Sequence, residues 1–326
     1  MENSSIFSNS LDLSGLQGSV DRLKEEISKV IVGQEAMVDL LVASFLADGH
    51  VLLEGMPGVA KTLTAKLIAK CFSVDYSRIQ FTPDLMPSDV IGTSVFNSKI
   101  NEFEFKSGPI FSNIVLIDEI NRAPAKTQAA LFEAMEEKQI TFDGIQYQLN
   151  PPFLVIATQN PVEQEGTYRL PEAQLDRFLF KVFVDYPDVN EETEILTRYH
   201  ENKNQVSLED IQPVMSAEEL VSFKELVGQV HIEEKLIRYI AEITENTRSN
   251  GALYLGASPR ASISMLKGAK ALAAMEGKSF VTPENIKEIA VHVLNHRIVL
   301  TPDKEMEGVT PIEIIKDIVE QVKIPR

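Results

Sequence analysis

The stretch "GMPGVAKT", from Gly55 to Thr62, leaves an apolar run and enters a helical pattern. A loop in that setting can turn its backbone N–H groups inward around phosphate oxygens, with the helix N-terminus adding partial positive charge. Lys61 can then bridge the β- and γ-oxygens of a nucleoside triphosphate such as ATP, and the Thr62 hydroxyl can bind its Mg²⁺. Gly55, Pro57, Gly58, Val59, Ala60, Lys61, Thr62 and Leu63 are the candidate nucleotide contacts. Alanine stands at position 60, where a second glycine is usual before the lysine. It removes no donor, and its methyl is tolerated if the residue already has helical φ/ψ, as expected just before a helix.

In "NIVLIDEINRAP" an apolar strand ends in Asp118 and Glu119. Ligands of parallel sheets gather at the carboxyl ends of strands, so Asp118 can hold Mg²⁺ through water and Glu119 can polarise an attacking water. Asn160, at the end of "VIATQNP", either orients that water beside the γ-phosphate or is an ordinary turn-forming Asn-Pro residue. Arg177 closes the short helical pattern of "PEAQLDRF", where a guanidinium could serve a neighbouring subunit's γ-phosphate.

These residues need a scaffold, and the chain supplies short apolar runs at 50–54, 76–81, 113–118, 153–158 and 179–185. Helical patterns fall between them at "KTLTAKLIAKCF" and "KTQAALFEAMEEKQ", the second with Ala130, Leu131, Ala134 and Met135 on one face. The alternation predicts a doubly wound α/β domain with a mostly parallel five-stranded sheet. Two segments interrupt it as hairpins: "GTSVFNSKINEFEF", and "QITFDGIQYQL" with its Asp143-Gly144 turn. Either could be a plain surface hairpin.

Beyond "DYPDVNEE" the spacing becomes helical at 190–202, 216–228, 232–249, 259–276 and 283–296. Ser216, Ser258 and Thr282 are expected N-caps, with Pro259 and Pro283 at first helical positions. The expected division is a nucleotide-binding core over residues 1–187 and a helical domain over 188–326. The first dozen residues are the one candidate for disorder.

Composition narrows the partners. With 48 acidic against 31 basic residues the net charge is −17, which argues against a duplex-binding surface and favours protein or small-molecule partners. Cys71 is the sole cysteine, so no internal disulfide or cysteine zinc site can form, and its apolar helical setting predicts a buried inert thiol. His292 and His296 lack the acidic partner of a zinc-protease helix and are expected to be packing or surface residues. The N-terminal stretch has no basic start or apolar segment, and no run approaches a membrane span, so the expected location is cytoplasmic.

Taken together, "GMPGVAKT", "IDEINRAPAKTQAALFEAMEE", "FLVIATQNPVEQEGTYRLPEAQLDRF" and "GASPRASISMLKGAKALA" resemble the AAA+ ATPases, and more narrowly their MoxR branch, from about Ile31 to Arg297. Alanine before the lysine is usual in that branch. The resemblance implies Lys61 and Thr62 as the Walker A pair, Asp118 and Glu119 as Walker B, Asn160 as sensor 1 and Arg177 as a trans-acting arginine finger. It also implies Arg260 as sensor 2, the alternative being a surface helix residue paired with a carboxylate. Val32 and Gly33 of "IVGQ" would lie on the adenine side, and the hairpins would be the helix-2 and pre-sensor-1 inserts of the clade.

Many relatives have proline where this chain has Arg169, so Arg169 and Arg122 remain rival trans-acting cations. The implied activity is Mg²⁺-dependent ATP hydrolysis by a homo-oligomeric, hexameric ring. Its implied work is chaperone-like remodelling of, or metal insertion into, a protein client, often with a von Willebrand factor A-type partner. A magnesium- or cobalt-chelatase motor subunit, a DNA-acting motor and a non-hydrolysing nucleotide-bound scaffold are the alternatives.

Overall fold

The computed structural model describes residues 11–161, 168, 170–201 and 208–325. These form two compact units, one comprising Leu23–Leu41 with Asp48–Val221, the other residues 11–22, 42–47 and 222–325. Helices α1 (Ser14–Ser28) and α2 (Glu35–Leu46) precede the first strand, β1 (His50–Gly55). Helix α3 (Lys61–Cys71) and strand β2 (Tyr76–Gln80) follow. A short helix, α4 (Pro87–Ile91), leads into a hairpin, β3 (Gly92–Asn97) and β4 (Glu102–Ser107). Next come β5 (Ile114–Asp118), α5 (Ala125–Glu137) and a second hairpin, β6 (Gln139–Phe142) with β7 (Ile145–Gln148). Strand β8 (Leu154–Gln159), α6 (Glu172–Leu175), β9 (Phe178–Val184) and α7 (Val189–His200) complete the first unit's main elements.

The sheet order is β2-β5-β8-β1-β9, and every pairing is parallel. Strand β5 is buried at all its residues, and β1 and β8 at all but one each, which is why these strands read as unbroken apolar runs rather than alternating ones. On α5, Leu131, Ala134 and Met135 are buried as the helical spacing requires, joined by Phe132, while Ala130 is half-buried.

Register decides where the strands stop. Leu53 is level with Thr158, Ile117 with Ala157, and Gln80 with Asp118. Four neighbouring strands therefore finish together along one edge of the sheet, with β1, from which the chain leaves for the far edge and beside which it later returns, as the switch point.

Both hairpins are antiparallel two-stranded ribbons outside the main sheet. At the tip of the second, Asp143 has φ 48° and Gly144 φ 77°, the two left-handed residues a tight two-residue turn demands. Phe105 of β4 stacks on Tyr147 of β7 with centroids 4.2 Å apart and lies 5.1 Å from Phe142 of β6, so one aromatic cluster ties the hairpins together.

The second unit holds the end of α8 (Ala217–Gln229), then α9 (Glu234–Ser249), β10 (Leu253–Leu255), α10 (Pro259–Met275) and α11 (Pro283–Leu294). It continues through β11 (Val299–Leu300), α12 (Pro302–Met306) and α13 (Pro311–Gln321), with β10 and β11 paired antiparallel. Thr282 caps α11 by accepting from the Asn285 N–H, and the Ser216 hydroxyl accepts from the Glu219 N–H at 3.2 Å. Ser258 occupies the N-cap position of α10 but makes no side-chain capping bond, contrary to expectation. His296 is buried against Asn295, 3.0 Å from its Oδ1, and α11 has ended by then, so His292 and His296 do not share a helical face. Among the described residues no helix is long and apolar enough to cross a membrane.

Candidate functional site

A cavity of about 400 Å³ opens at the carboxyl ends of the strands. Its lining includes the whole loop from Pro57 to Leu63 together with Asp118, Glu119 and Asn160, so the three motifs read separately from the sequence meet in one place.

Helix α3 starts directly from the loop. It has no side-chain cap and no acidic residue in its first turn, which leaves its first N–H groups as donors toward an anion. Gly58 has φ 89°, a conformation that glycine adopts without strain. Ala60 departs from the sequence-based expectation: it is left-handed, with φ 58° and ψ 13°, not helical. Its Cβ is therefore held at a cost of about 1–2 kcal/mol, which the packing of the loop must offset. The strained residue sits immediately before Lys61.

The Lys61 ammonium donates to the Gly55 carbonyl at 2.5 Å. Burial pushes it below the usual lysine range, against the opposing pull of Asp118, Glu54 and Glu119. It is a half-buried amine lining the cavity, where a phosphate could accept from it in place of the Gly55 carbonyl.

Asp118 is 6% exposed and its two oxygens have different tasks. Oδ1 accepts from the Thr158 hydroxyl at 3.2 Å; Oδ2 accepts from Arg78 Nε at 2.6 Å and faces Thr62 Oγ1 at 3.5 Å. A hydroxyl and a carboxylate across such a gap are hard oxygen ligands of the kind Mg²⁺ accepts while keeping several waters, so the residues fit that metal.

Glu119 also has a left-handed backbone, φ 57° and ψ 53°, which turns the chain sharply at the end of β5. Its N–H donates to Thr158 Oγ1 at 3.0 Å. Its Oε2 accepts from Gln80 Nε2 at 3.0 Å and is paired with Arg122 Nε at 2.9 Å. A carboxylate so placed can take a proton from a water at the cavity once those contacts yield.

Arg78, Gln80 and Thr158 line the same cavity and were not singled out from the sequence. Their signal is faint: Arg78 and Gln80 lie two apart on the edge strand β2, and Thr158 lies two before Asn160. Only the register shows that all three adjoin the acidic pair.

Other expected site residues are placed elsewhere. Arg177 follows α6, away from this lining, and donates to the Phe132 carbonyl at 2.7 Å while pairing with Glu136 at 2.6 Å. Arg122 pairs with Glu119 of its own chain. Arg169 lies outside the described residues. Arg260 is the second residue of α10, in the other unit.

Val32 and Gly33 are not part of the lining; Gly33 instead borders a separate cavity of about 330 Å³ formed by residues of α1 and α2. At φ 68° Gly33 is left-handed, so a side chain there would be strained; the atoms a Cβ would meet, Glu191 Oε1 at 2.1 Å first, are the end of a flexible side chain that can move aside. Gln34 beside it donates to the Asp185 carbonyl at 2.9 Å, fastening this segment to the chain that follows β9.

Comparison with known proteins agrees with this geometry. Residues 50–180 match the ATPase family associated with various cellular activities (AAA), and residues 245–318 match the AAA lid domain. The chain is 46% identical to YeaC of Bacillus subtilis, covering 92% of this chain and 93% of that protein. It is 40% identical to the chaperone MoxR1 of Mycobacterium tuberculosis, over 96% of this chain and 85% of that one. A solved structure from Cytophaga hutchinsonii, assigned as an ATPase, superposes with a TM-score of 0.89 at 42% identity, covering 96% of this chain and 97% of the other. With its parallel core, its helical lid and its phosphate-type loop, the chain belongs to the MoxR-type AAA+ ATPases.

Proposed function

We propose that this protein hydrolyses ATP with Mg²⁺ at the 400 Å³ cavity, in a ring whose neighbouring subunits complete one another's sites. The observation that carries the reading is the convergence of Lys61, Thr62, Asp118, Glu119 and Asn160 on one cavity at the ends of adjacent parallel strands.

The loop N–H groups from Gly58 to Thr62 and the Lys61 ammonium bind the phosphates. Thr62 and Asp118 hold the metal, which when bound neutralises charge developing on the phosphate oxygens. Glu119 accepts the proton of the attacking water, and Asn160 orients that water. Arg177 serves the adjacent protomer's γ-phosphate, and Arg260 reads the phosphates from the lid. Positioning and charge, rather than covalent chemistry, carry the rate.

The client is a protein, remodelled as lid and core shift during the cycle, and a von Willebrand factor A-type protein is the partner expected from the family resemblance. The surplus of 48 acidic over 31 basic residues favours this over a nucleic-acid track. We place the work in the cytoplasm, by a hexamer.

The test is Glu119→Gln. It should bind ATP as the wild type does and lose turnover by about a hundredfold or more, as removal of a general base does. Full turnover in that variant would remove Glu119 from the base role.

A further inference from the structure

The residue that claims Asp118 most closely is Arg78, and it holds the oxygen that faces Thr62. Arg78 Nε is 2.6 Å from Asp118 Oδ2, and that same atom is 3.5 Å from Thr62 Oγ1. The carboxylate is well buried, with a side chain 9% exposed, whereas the Arg78 side chain is 52% exposed on an edge strand. Its Nη2 also donates to Gln80 Oε1 at 3.3 Å. A fixed acid is thus held by a long, half-exposed cationic arm whose Nη2 side meets Gln80, an exposed neighbour on the same strand.

We propose that Arg78 makes divalent-metal binding at Asp118 contingent on a polyphosphate, by acting as a built-in competitor for the metal's place. The inference rests on the reading that Thr62 and Asp118 hold the metal of a bound nucleotide. A guanidinium on Oδ2 neutralises the carboxylate and repels a second cation approaching it, so bare Mg²⁺ gains little from the site. A triphosphate changes that balance. Its negative oxygens supply counter-charge for both cations, and the exposed arm of Arg78 can turn from the carboxylate to phosphate, a partner its planar fork suits well. The site then accepts metal and nucleotide together and refuses the metal alone. Arg78 is a positioning residue in this scheme, acting through Asp118.

The experiment titrates the full-length protein with Mn²⁺ in the absence of nucleotide, following free Mn²⁺ by electron paramagnetic resonance, and in parallel measures binding of a fluorescent ATP analogue with Mg²⁺. Arg78→Ala should bind Mn²⁺ alone about tenfold more tightly than the wild type, a factor of ten being about 1.4 kcal/mol. Arg78→Lys keeps the charge and should stay within roughly threefold of the wild type. Adding Asp118→Asn to Arg78→Ala should abolish the gain.

Equal Mn²⁺ affinities for wild type and Arg78→Ala, with the ATP analogue still bound, would overturn the competition while leaving the nucleotide site intact. So would a gain for Arg78→Lys equal to that for Arg78→Ala, since charge would then not be the cause. Failure of the wild type to bind the analogue would overturn both readings.

Discussion

The hydroxyl of Thr158 accepts the backbone N–H of Glu119 at 3.0 Å and donates to Asp118 Oδ1 at 3.2 Å. One side chain on β8 therefore fixes both the left-handed turn at Glu119 and the rotation of the acid before it. Thr158→Val keeps the shape and removes the hydroxyl. It should cost about 1–3 kcal/mol of stability by orphaning the Glu119 N–H. Turnover should fall by more than about tenfold through loss of alignment. Denaturant melts and steady-state ATPase assays of the two proteins measure both effects.

Ala60 invites the opposite experiment, a stabilising one. Its left-handed φ of 58° costs an alanine roughly 1–2 kcal/mol, and glycine's greater freedom in the unfolded chain offsets roughly 0.4–1 of any gain. Ala60→Gly should therefore be more stable by about 0.5–1 kcal/mol in urea unfolding. The phosphate donors are backbone groups, so affinity for ATP should stay within roughly threefold. A loss of stability would show that the Ala60 methyl contributes packing that outweighs its strain.

Arg177 is occupied within its own chain by Glu136 and the Phe132 carbonyl, yet both partners of the ion pair are about one-third exposed, at 30% and 38%. Such a pair is worth only about 0.2–1 kcal/mol, so Arg177→Ala should fold normally and bind ATP. It should nevertheless lose turnover if the guanidinium serves a neighbour. Mixing it with Lys61→Ala should recover part of the activity, because some interfaces then join two intact halves. Mixed rings without recovery would count against a shared site.

Burial pushes the Cys71 thiol from an ordinary 9.0 up to about 12. The neutral form is thus favoured in the fold, and the stability it contributes is complete below pH 9 and declines as pH rises from 9 towards 12, where only the unfolded thiol ionises. At pH 8 an alkylating reagent should label Cys71 only in denaturant. Rapid labelling of the native protein would mean that α3 opens readily.

Much of this was legible in the sequence, for identifiable reasons. Strands buried on both faces appear as apolar runs, so "NIVLID" and "FLVIAT" disclosed β5 and β8, and Asp143-Gly144 disclosed a hairpin turn. The chemistry of Asp118 and Glu119 could be read because they lie where an apolar run stops, and that of Lys61 and Thr62 because they close the glycine-containing loop between an apolar run and a helical pattern. Arg78, Gln80 and Thr158 could not be read in this way: their place depends on which residues are level across different strands, and spacing along one strand does not encode that.

The conformation of Ala60 is not legible from its place beside α3, because the residue that caps a helix lies outside it and need not share its φ/ψ. Helix α13 lies beyond the expected helical segments, yet its sequence carries a signal: Thr310 and Glu313 form a capping box ahead of buried Ile315, Ile318 and Val319.

The most direct measurement is a crystal structure with Mg²⁺ and a non-hydrolysable ATP analogue. It should show Lys61 Nζ transferred from the Gly55 carbonyl to the β- and γ-phosphates, the metal on Thr62 and facing Asp118, and Asn160 beside the γ-phosphate. A nucleotide seated elsewhere, with Lys61 still bound to Gly55, would contradict the account.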